Sequence, residues 1–352
     1  MKVLFICHPE SDYGGGFLFN GLCEVLGAKN VYEYPLKPSY HGQVHNYSLL
    51  PHIVDGHTGP AAWEAVHEYA YANVAEPHGE IRDLIHSKEF AFCVVESLRE
   101  VAVSNFCGLR DELRHAGIPV VLHDGEDHQF LLNCARGSNI KATDFAIILK
   151  RELWKTIYPS HEFDHEGTKV VGFPFSAVST SIEHAISTAG KERDLDLCFI
   201  AGRTCDERQR VADALRDSNF DSYVALSPDD RKSPVTLKCW CDYIATMRDS
   251  KIAVSVRGFG MDTVRFWESP LCTLMLTDLP PLHYENPLVD GVHCVQFSNA
   301  QDCVAKAHAL LEDEERRRTI YEAGRRWVME YHTNRARAQY LIQKLRVMGR
   351  IA

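Results

Sequence analysis

Along the first half of the chain the hydrophobic pattern switches between two periods. Short, nearly continuous apolar runs read as strands buried on both faces: KVLFIC at 2–7, NVYEYP at 30–35, FAFCVVES at 90–97, IPVVLHDGED at 118–127 and DFAIILKREL at 144–153. Between them lie segments of helical period. FLFNGLCEVLG at 17–27 and FCGLRDELRHAG at 106–117 each stop at a glycine, and IRDLIHS at 81–87 is a shorter candidate. Residues 36–60 are rich in Pro, Gly, His and Asn and predict irregular chain, with a helix expected at about 61–74. HPESDYGGG at 8–16 reads as a loop, so the first helix is expected to begin near Phe17.

The second half repeats the rhythm. TKVVGFPFSAV at 168–178 predicts a strand and a turn, and 177–194 a helical or loose connector. DLDLCFIAGRT at 194–204 predicts a strand and ERQRVADALRD at 207–217 the helix after it. SYVAL, KIAVSV, LCTLMLTD and HCVQF follow as strands, and the final forty residues are almost continuously helical by pattern. Strand and helix in alternation predict α/β architecture on parallel sheets. The expected fold is two doubly wound Rossmann-like domains facing a cleft. The first covers 1–176, a linker covers 177–192, and the second covers 193–352 with the terminal helices.

Composition narrows the function. A chain of 352 residues, 45% hydrophobic and 24% charged, supports two buried cores. Its formal net charge of -10 argues against a surface built as a whole for nucleic acid or anionic lipid, while leaving room for a local basic groove. No apolar run reaches the ~18 residues that a membrane helix requires. The opening MKVLFIC reads as a strand, not a signal peptide, and a cytoplasmic protein is expected. Twelve scattered cysteines without a CxxC read as reduced core residues. His41 and His45 in HGQVH have helical spacing but no carboxylate or cysteine partner at ligand spacing, so no metal site is predicted.

The chemistry-bearing residues cluster at strand ends, where ligands bind in doubly wound sheets. After KIAVSV comes Arg257-Gly258-Phe259-Gly260, then MDTVRFWES as the start of a helix, with Asp262 and Thr263 leading into it. Glycines permit close backbone approach and positive φ. A helix N-terminus and arginine forks both suit phosphate oxygens. Glu268, three residues after Arg265, cannot favour phosphate, and a ribose diol is the natural partner of such a carboxylate. A plain Arg265–Glu268 ion pair fits the same spacing. The strand ending at Gly202-Arg203-Thr204, with Arg208 one turn into the next helix, offers a second set of donors or simply an exposed basic face.

The run S-K-I-x-V-S-x-x-G-x-G-x-D-T-x-R-F-W-E, followed by an apolar strand and Thr-Asp, resembles the C-terminal half of GT-B glycosyltransferases, more narrowly the CgeB-like group. Asp12-Tyr13 ahead of a helix, VYEYP, HDGED and LKREL extend the resemblance over nearly the whole chain. It implies transfer of a sugar from a nucleoside-diphosphate sugar to a hydroxyl acceptor. The donor would sit on the C-terminal domain, the diphosphate held by Arg265 and Arg208 and the ribose by Glu268. Arginines and helix dipoles stabilising the leaving diphosphate make the reaction metal-independent, with no cofactor beyond the co-substrate. Pro270, and the lack of a glycine before the next strand, depart from the family pattern and predict a shortened helix after Glu268.

For the acceptor side, His8, Asp12, Asp124 and Glu126 are the candidate bases, Asp12 foremost because it precedes the glycine-rich turn Gly14-Gly15-Gly16. Tyr13, Gly14, Gly15, Asp127, Lys150 and Arg151 are the candidate acceptor contacts. For Lys150 and Arg151, salt bridges to the Asp124–Asp127 loop are the alternative. Arg325, Arg326, Arg335, Arg337, Lys344, Arg346 and Arg350 line the terminal helices as a solvated face or a membrane-surface or phosphate-rich contact. Two other readings stay open: transfer to a modified nucleic-acid base, and a catalytically silent sugar-nucleotide-binding protein.

Overall fold

The computed structural model describes residues 1–8, 13–35, 37, 80–132, 139–177, 193–227 and 240–352. Asp12, the HGQVH run, the helix expected at 61–74 and nearly all of the connector at 177–194 lie outside them. The chain forms two compact units. The first comprises Met1–Phe175, Leu282–Glu285 and Asn334–Ala352, and the second comprises Ser176–Pro281 and Asn286–Thr333.

In the first unit β1 (Lys2–Ile6), α1 (Tyr13–Leu26), β2 (Val31–Tyr34), α2 (Glu80–His86), β3 (Phe90–Val95), α3 (Glu100–Ala116), β4 (Val120–Asp124) and β5 (Ile147–Lys150) follow in order. A hairpin of β6 (Glu162–His165) and β7 (Thr168–Gly172) completes a seven-stranded sheet. Its order is β2-β1-β3-β4-β5-β7-β6, parallel except for β6. The pattern EFDH concealed β6, because an edge strand with no residue fully buried carries no apolar run. Alternate strand residues feed two cores. Val3, Phe5, Phe92 and Val121 face Leu18 and Leu22 of α1, while Leu4, Ile6, Val95 and Leu122 face Phe106 and Leu109 of α3. Gly117 caps α3 at φ 71°, a left-handed conformation that favours glycine.

The second unit holds β8 (Leu195–Gly202), α4 (Asp206–Arg216), β9 (Ser222–Ser227), α5 (Trp240–Arg248), β10 (Ser250–Ser255), α6 (Val264–Cys272), β11 (Leu274–Thr277), β12 (Val295–Gln296), α7 (Ala300–Glu312) and α8 (Glu314–Tyr331). The sheet is wholly parallel in the order β12-β11-β10-β8-β9. Leu197, Phe199, Ile252, Val254 and Leu276 pack against Val211 and Leu215 of α4 and Cys303 and Leu310 of α7. Among the parallel strands, each sheet has one point where the strand order reverses, between β1 and β3 in the first and between β8 and β10 in the second. Ligands in such sheets bind outside these switch points.

Three expectations need correction. The helix α1 begins at Tyr13 and takes in Gly14, Gly15 and Gly16, so these glycines form its first turn instead of a loop before it. The helix α9 (Asn334–Val347) belongs to the first unit, not to a domain running 193–352, because Ala338, Leu341, Ile342 and Leu345 complete the core beneath α1. Gly21 is the contact point, since a Cβ there would stand 2.1 Å from the Asn334 carbonyl oxygen. Finally, α6 is not ended by Pro270 but continues to Cys272, with Thr273 N–H donating to the Ser269 carbonyl at 2.9 Å. The described cysteines are free thiols, most of them buried.

Candidate functional site

At the switch point of the second unit, β8 ends at Gly202 and β10 runs into Val256 and Arg257. Arg208, on the first turn of α4, is 5% exposed and reaches back under both ends. Its Nε donates to the carbonyl of Arg257 at 2.7 Å, Nη2 to that of Val256 at 2.9 Å and Nη1 to that of Gly202 at 2.8 Å. Arg208 therefore braces the two loops, a different job from the exposed basic face its sequence allowed. Burial, and then the neighbouring Arg265, push its guanidinium down to about 10, still charged at neutral pH. A Cβ on Gly258 would lie 3.0 Å from Arg208 Nη2 and 3.4 Å from Thr204 Oγ1. Gly258 and Gly260 have no positive φ, so what matters at Gly258 is room.

Around this brace stand donors that the fold has not used. Thr204 Oγ1, Arg265 Nε and Arg265 Nη1 are buried and have no hydrogen-bond partner among the described residues. The ion pair that spacing allowed between Arg265 and Glu268 therefore does not occupy those two nitrogens. Arg265 lies in the first turn of α6, whose N-cap Thr263 makes no side-chain cap hydrogen bond. A buried guanidinium edge, a hydroxyl and a helix N-terminus at one switch point are donor types that suit an anion. Leaving such groups unpaired costs about 1–3 kcal/mol each, more for a charged one, which a bound anion would recover.

The other donor-side candidates have defined places. Glu268 is buried, and its Oε2 accepts from the Tyr243 hydroxyl at 2.9 Å. Asp262 is buried and accepts from the Trp267 indole N–H at 2.8 Å, which ties the loop to α6. Arg203 and Arg257 are exposed. Asp278, just past β11, accepts from the Arg257 backbone N–H at 3.2 Å, with the Arg257 side chain 3.8 Å away. Desolvation raises the Asp278 pKa. Sequence reasoning missed Tyr243, which carries no motif, and quoted Asp278 only as part of the Thr-Asp pattern.

The switch point of the first unit is built from buried pairs. Glu96, following β3, accepts from the His8 backbone N–H at 2.6 Å and from Lys37 Nζ. His123 Nδ1 is bonded to the Glu96 carbonyl at 3.0 Å. A Cβ on Gly15 would fall 2.2 Å from Glu96 Cγ, and one on Gly14 would fall 2.4 Å from His123 Cε1, so these glycines admit protein groups. Lys150 donates to Asp124 at 2.9 Å, both side chains fully buried. Arg151 pairs with Asp127 and with the Gly125 carbonyl and stacks on Phe175 at 4.3 Å. Glu126 lies 3.7 Å from Arg99. The salt-bridge alternative is thus the one realised for Lys150 and Arg151. Glu96 and Lys37, outside every sequence-based site, are the centre of this network. Of the terminal-helix cations, Arg337 is buried over Phe173 and Lys344 pairs with Glu162, so neither belongs to an open basic face.

Among the described residues no group of three or more His, Cys, Asp or Glu is placed to hold a metal ion. None of their helices is long and apolar enough to cross a membrane.

Residues 206–343 match the family of glycosyl transferase-like proteins. Among solved structures, the chain is similar to HepE of Anabaena in complex with UDP-glucose, with TM-score 0.52 and 12% identity over 99% of this chain and 100% of that one. An alpha-glucosyltransferase in complex with UDP-glucose and DNA containing an abasic site gives TM-score 0.57 at 11% identity, covering 99% of each chain. A glycosyltransferase from Rickettsia africae ESF-5 gives TM-score 0.53 at 10% identity, over 99% of this chain and 98% of that one. No curated protein matches the chain in sequence. At such identities the structural likeness is one of fold, and that fold is GT-B. By that fold, and by the match over residues 206–343, the chain is similar to glycosyltransferases of the GT-B type.

Proposed function

We propose that the chain transfers a sugar from a nucleoside-diphosphate sugar to a hydroxyl acceptor, with the diphosphate held by Arg265, Thr204 and the N-terminus of α6, and the ribose by Glu268. The observation that carries this reading is the set of buried, unpartnered donors beside Arg208. Breaking the anomeric C–O bond places negative charge on the leaving diphosphate. A guanidinium and helix N–H groups already aimed there stabilise that charge without reorganising. Arg208 positions the loops and adds field rather than hydrogen bonds. On the acceptor side a base must take the hydroxyl proton, and Asp12 is the residue proposed for it. UDP complexes of HepE and of the alpha-glucosyltransferase make uridine nucleotides the first donors to try.

The test is titration of UDP, ADP, GDP and UDP-glucose against the wild type and Arg265→Ala. We expect one nucleotide to bind and Arg265→Ala, folded, to lose a charge-assisted contact of about 1.5–3 kcal/mol, on the order of 10–150-fold in affinity. Unchanged affinity in the variant overturns the site. Release of free nucleotide from UDP-sugars with sugar and oligonucleotide acceptors separates a transferase from a silent binder and identifies the acceptor class.

A further inference from the structure

The hydrogen bond between Tyr243 and Glu268 links α5 to the second turn of α6. Glu268 is 5% exposed, and a polar group so far from water needs a hydrogen-bond partner. The phenol supplies one at 2.9 Å. Phenylalanine would fill the same space on α5, so packing alone does not explain the hydroxyl. Burial and the charge of Glu268 hold the Tyr243 pKa well above its ordinary value, while Arg265 works in the opposite direction. The phenol thus stays a donor at any physiological pH, and the carboxylate keeps one orientation.

We propose that Tyr243 is a positioning residue for donor recognition: by holding Glu268 Oε2 it fixes the carboxylate that reads the ribose hydroxyls, and so makes the site select ribonucleotides over deoxyribonucleotides. This rests on Glu268 serving the ribose. A rigid acceptor discriminates against a missing hydroxyl because one of its own polar groups is then left unpaired. A carboxylate free to turn finds another partner and discriminates less.

The experiment compares UDP, ADP and GDP with their 2′-deoxy and 2′,3′-dideoxy counterparts on the wild type, Tyr243→Phe, Glu268→Gln and the double variant, folding being checked by melting temperature without nucleotide. The wild type should prefer the ribonucleotide. Tyr243→Phe should cut that preference by about tenfold, while the dideoxy affinity stays within about twofold. In the Glu268→Gln background, Tyr243→Phe should change the preference no further. Equal loss for ribo and dideoxy forms would make Tyr243 a packing residue and overturn the inference. So would a Tyr243→Phe effect that persists unchanged beside Glu268→Gln. A wild type blind to the ribose hydroxyls would instead overturn the reading of Glu268 itself, and the inference with it. If Tyr243→Phe does not fold, Tyr243→Leu, which also removes the hydroxyl, replaces it in the cycle with the same expected and overturning results.

Discussion

The two switch points have the same topology and opposite electrostatics. At β1 and β3, Glu96 takes Lys37 and the His8 backbone N–H, and at the neighbouring ends of β4 and β5 Asp124 takes Lys150, all within the fold. At β8 and β10, one arginine is fully engaged by carbonyls while another keeps two buried nitrogens without a partner. Charged residues at strand ends therefore do not by themselves make a site. Those whose hydrogen bonds close internally are scaffold, and at the second switch point the open donors coincide with a helix N-terminus and a strand-order reversal, which is what favours a ligand there.

The strongest way to break this contrast is to open a closed pair. Lys150→Met leaves Asp124 buried without its counter-charge, which should cost about 3–5 kcal/mol of stability, read as a lower denaturation midpoint. Nucleotide binding by the folded fraction should be unchanged. Next come matched glycine substitutions. Gly15→Ala sits in a helix and would gain about 1 kcal/mol by propensity, yet its Cβ meets Glu96 at 2.2 Å, so a net loss of about 1–3 kcal/mol is expected. Gly258→Ala pushes on a guanidinium at 3.0 Å and should leave the melting temperature nearly unchanged while weakening nucleotide affinity by about tenfold. If the two variants behave alike, the distinction between scaffold and site fails.

Smaller effects come from the surface. The hydrogen bond from Lys344 holds the Glu162 pKa below its ordinary value. For a depressed carboxylate the stabilisation is present above the unfolded-state pKa, about 4.3, and fades as pH falls through the folded one. Lys344→Met should thus cost no more than about 1 kcal/mol at pH 7, and less as pH falls through the folded-state pKa of Glu162. The smallest expected effect is none: turnover should survive chelation by EDTA, because arginine and helix N–H groups carry the leaving charge. Loss restored by Mg²⁺ would contradict that mechanism.

Much of the fold was legible because buried parallel strands leave apolar runs with polar punctuation, as at KVLFIC and KIAVSV. The exceptions share a cause. The first turn of α1 carries three glycines, which local propensity assigns to a loop; only the neighbours His123 and Glu96 explain their place in a helix. Pro270 obeys tertiary burial over its own preference. The site divided in the same way. Arg265 and Glu268 are visible as a motif, but that Arg208 spends its donors on Gly202, Val256 and Arg257 is a matter of three-dimensional reach. Tyr243 stands in no pattern at all, since its meaning comes from a residue 25 positions away.

The place of α9 has a consequence for how the chain is made. The first unit opens with β1 and α1 but obtains Ala338, Leu341, Ile342 and Leu345 only after the second unit has been synthesised. A nascent chain that has reached Thr333 holds every residue of the second unit, while the α1 face of the first still lacks its cover. Domain-by-domain folding from the N-terminus is the usual order during translation. Here the order reverses: the unit begun first is finished last, and its exposed apolar face must be kept from other nascent chains until residue 345 has emerged.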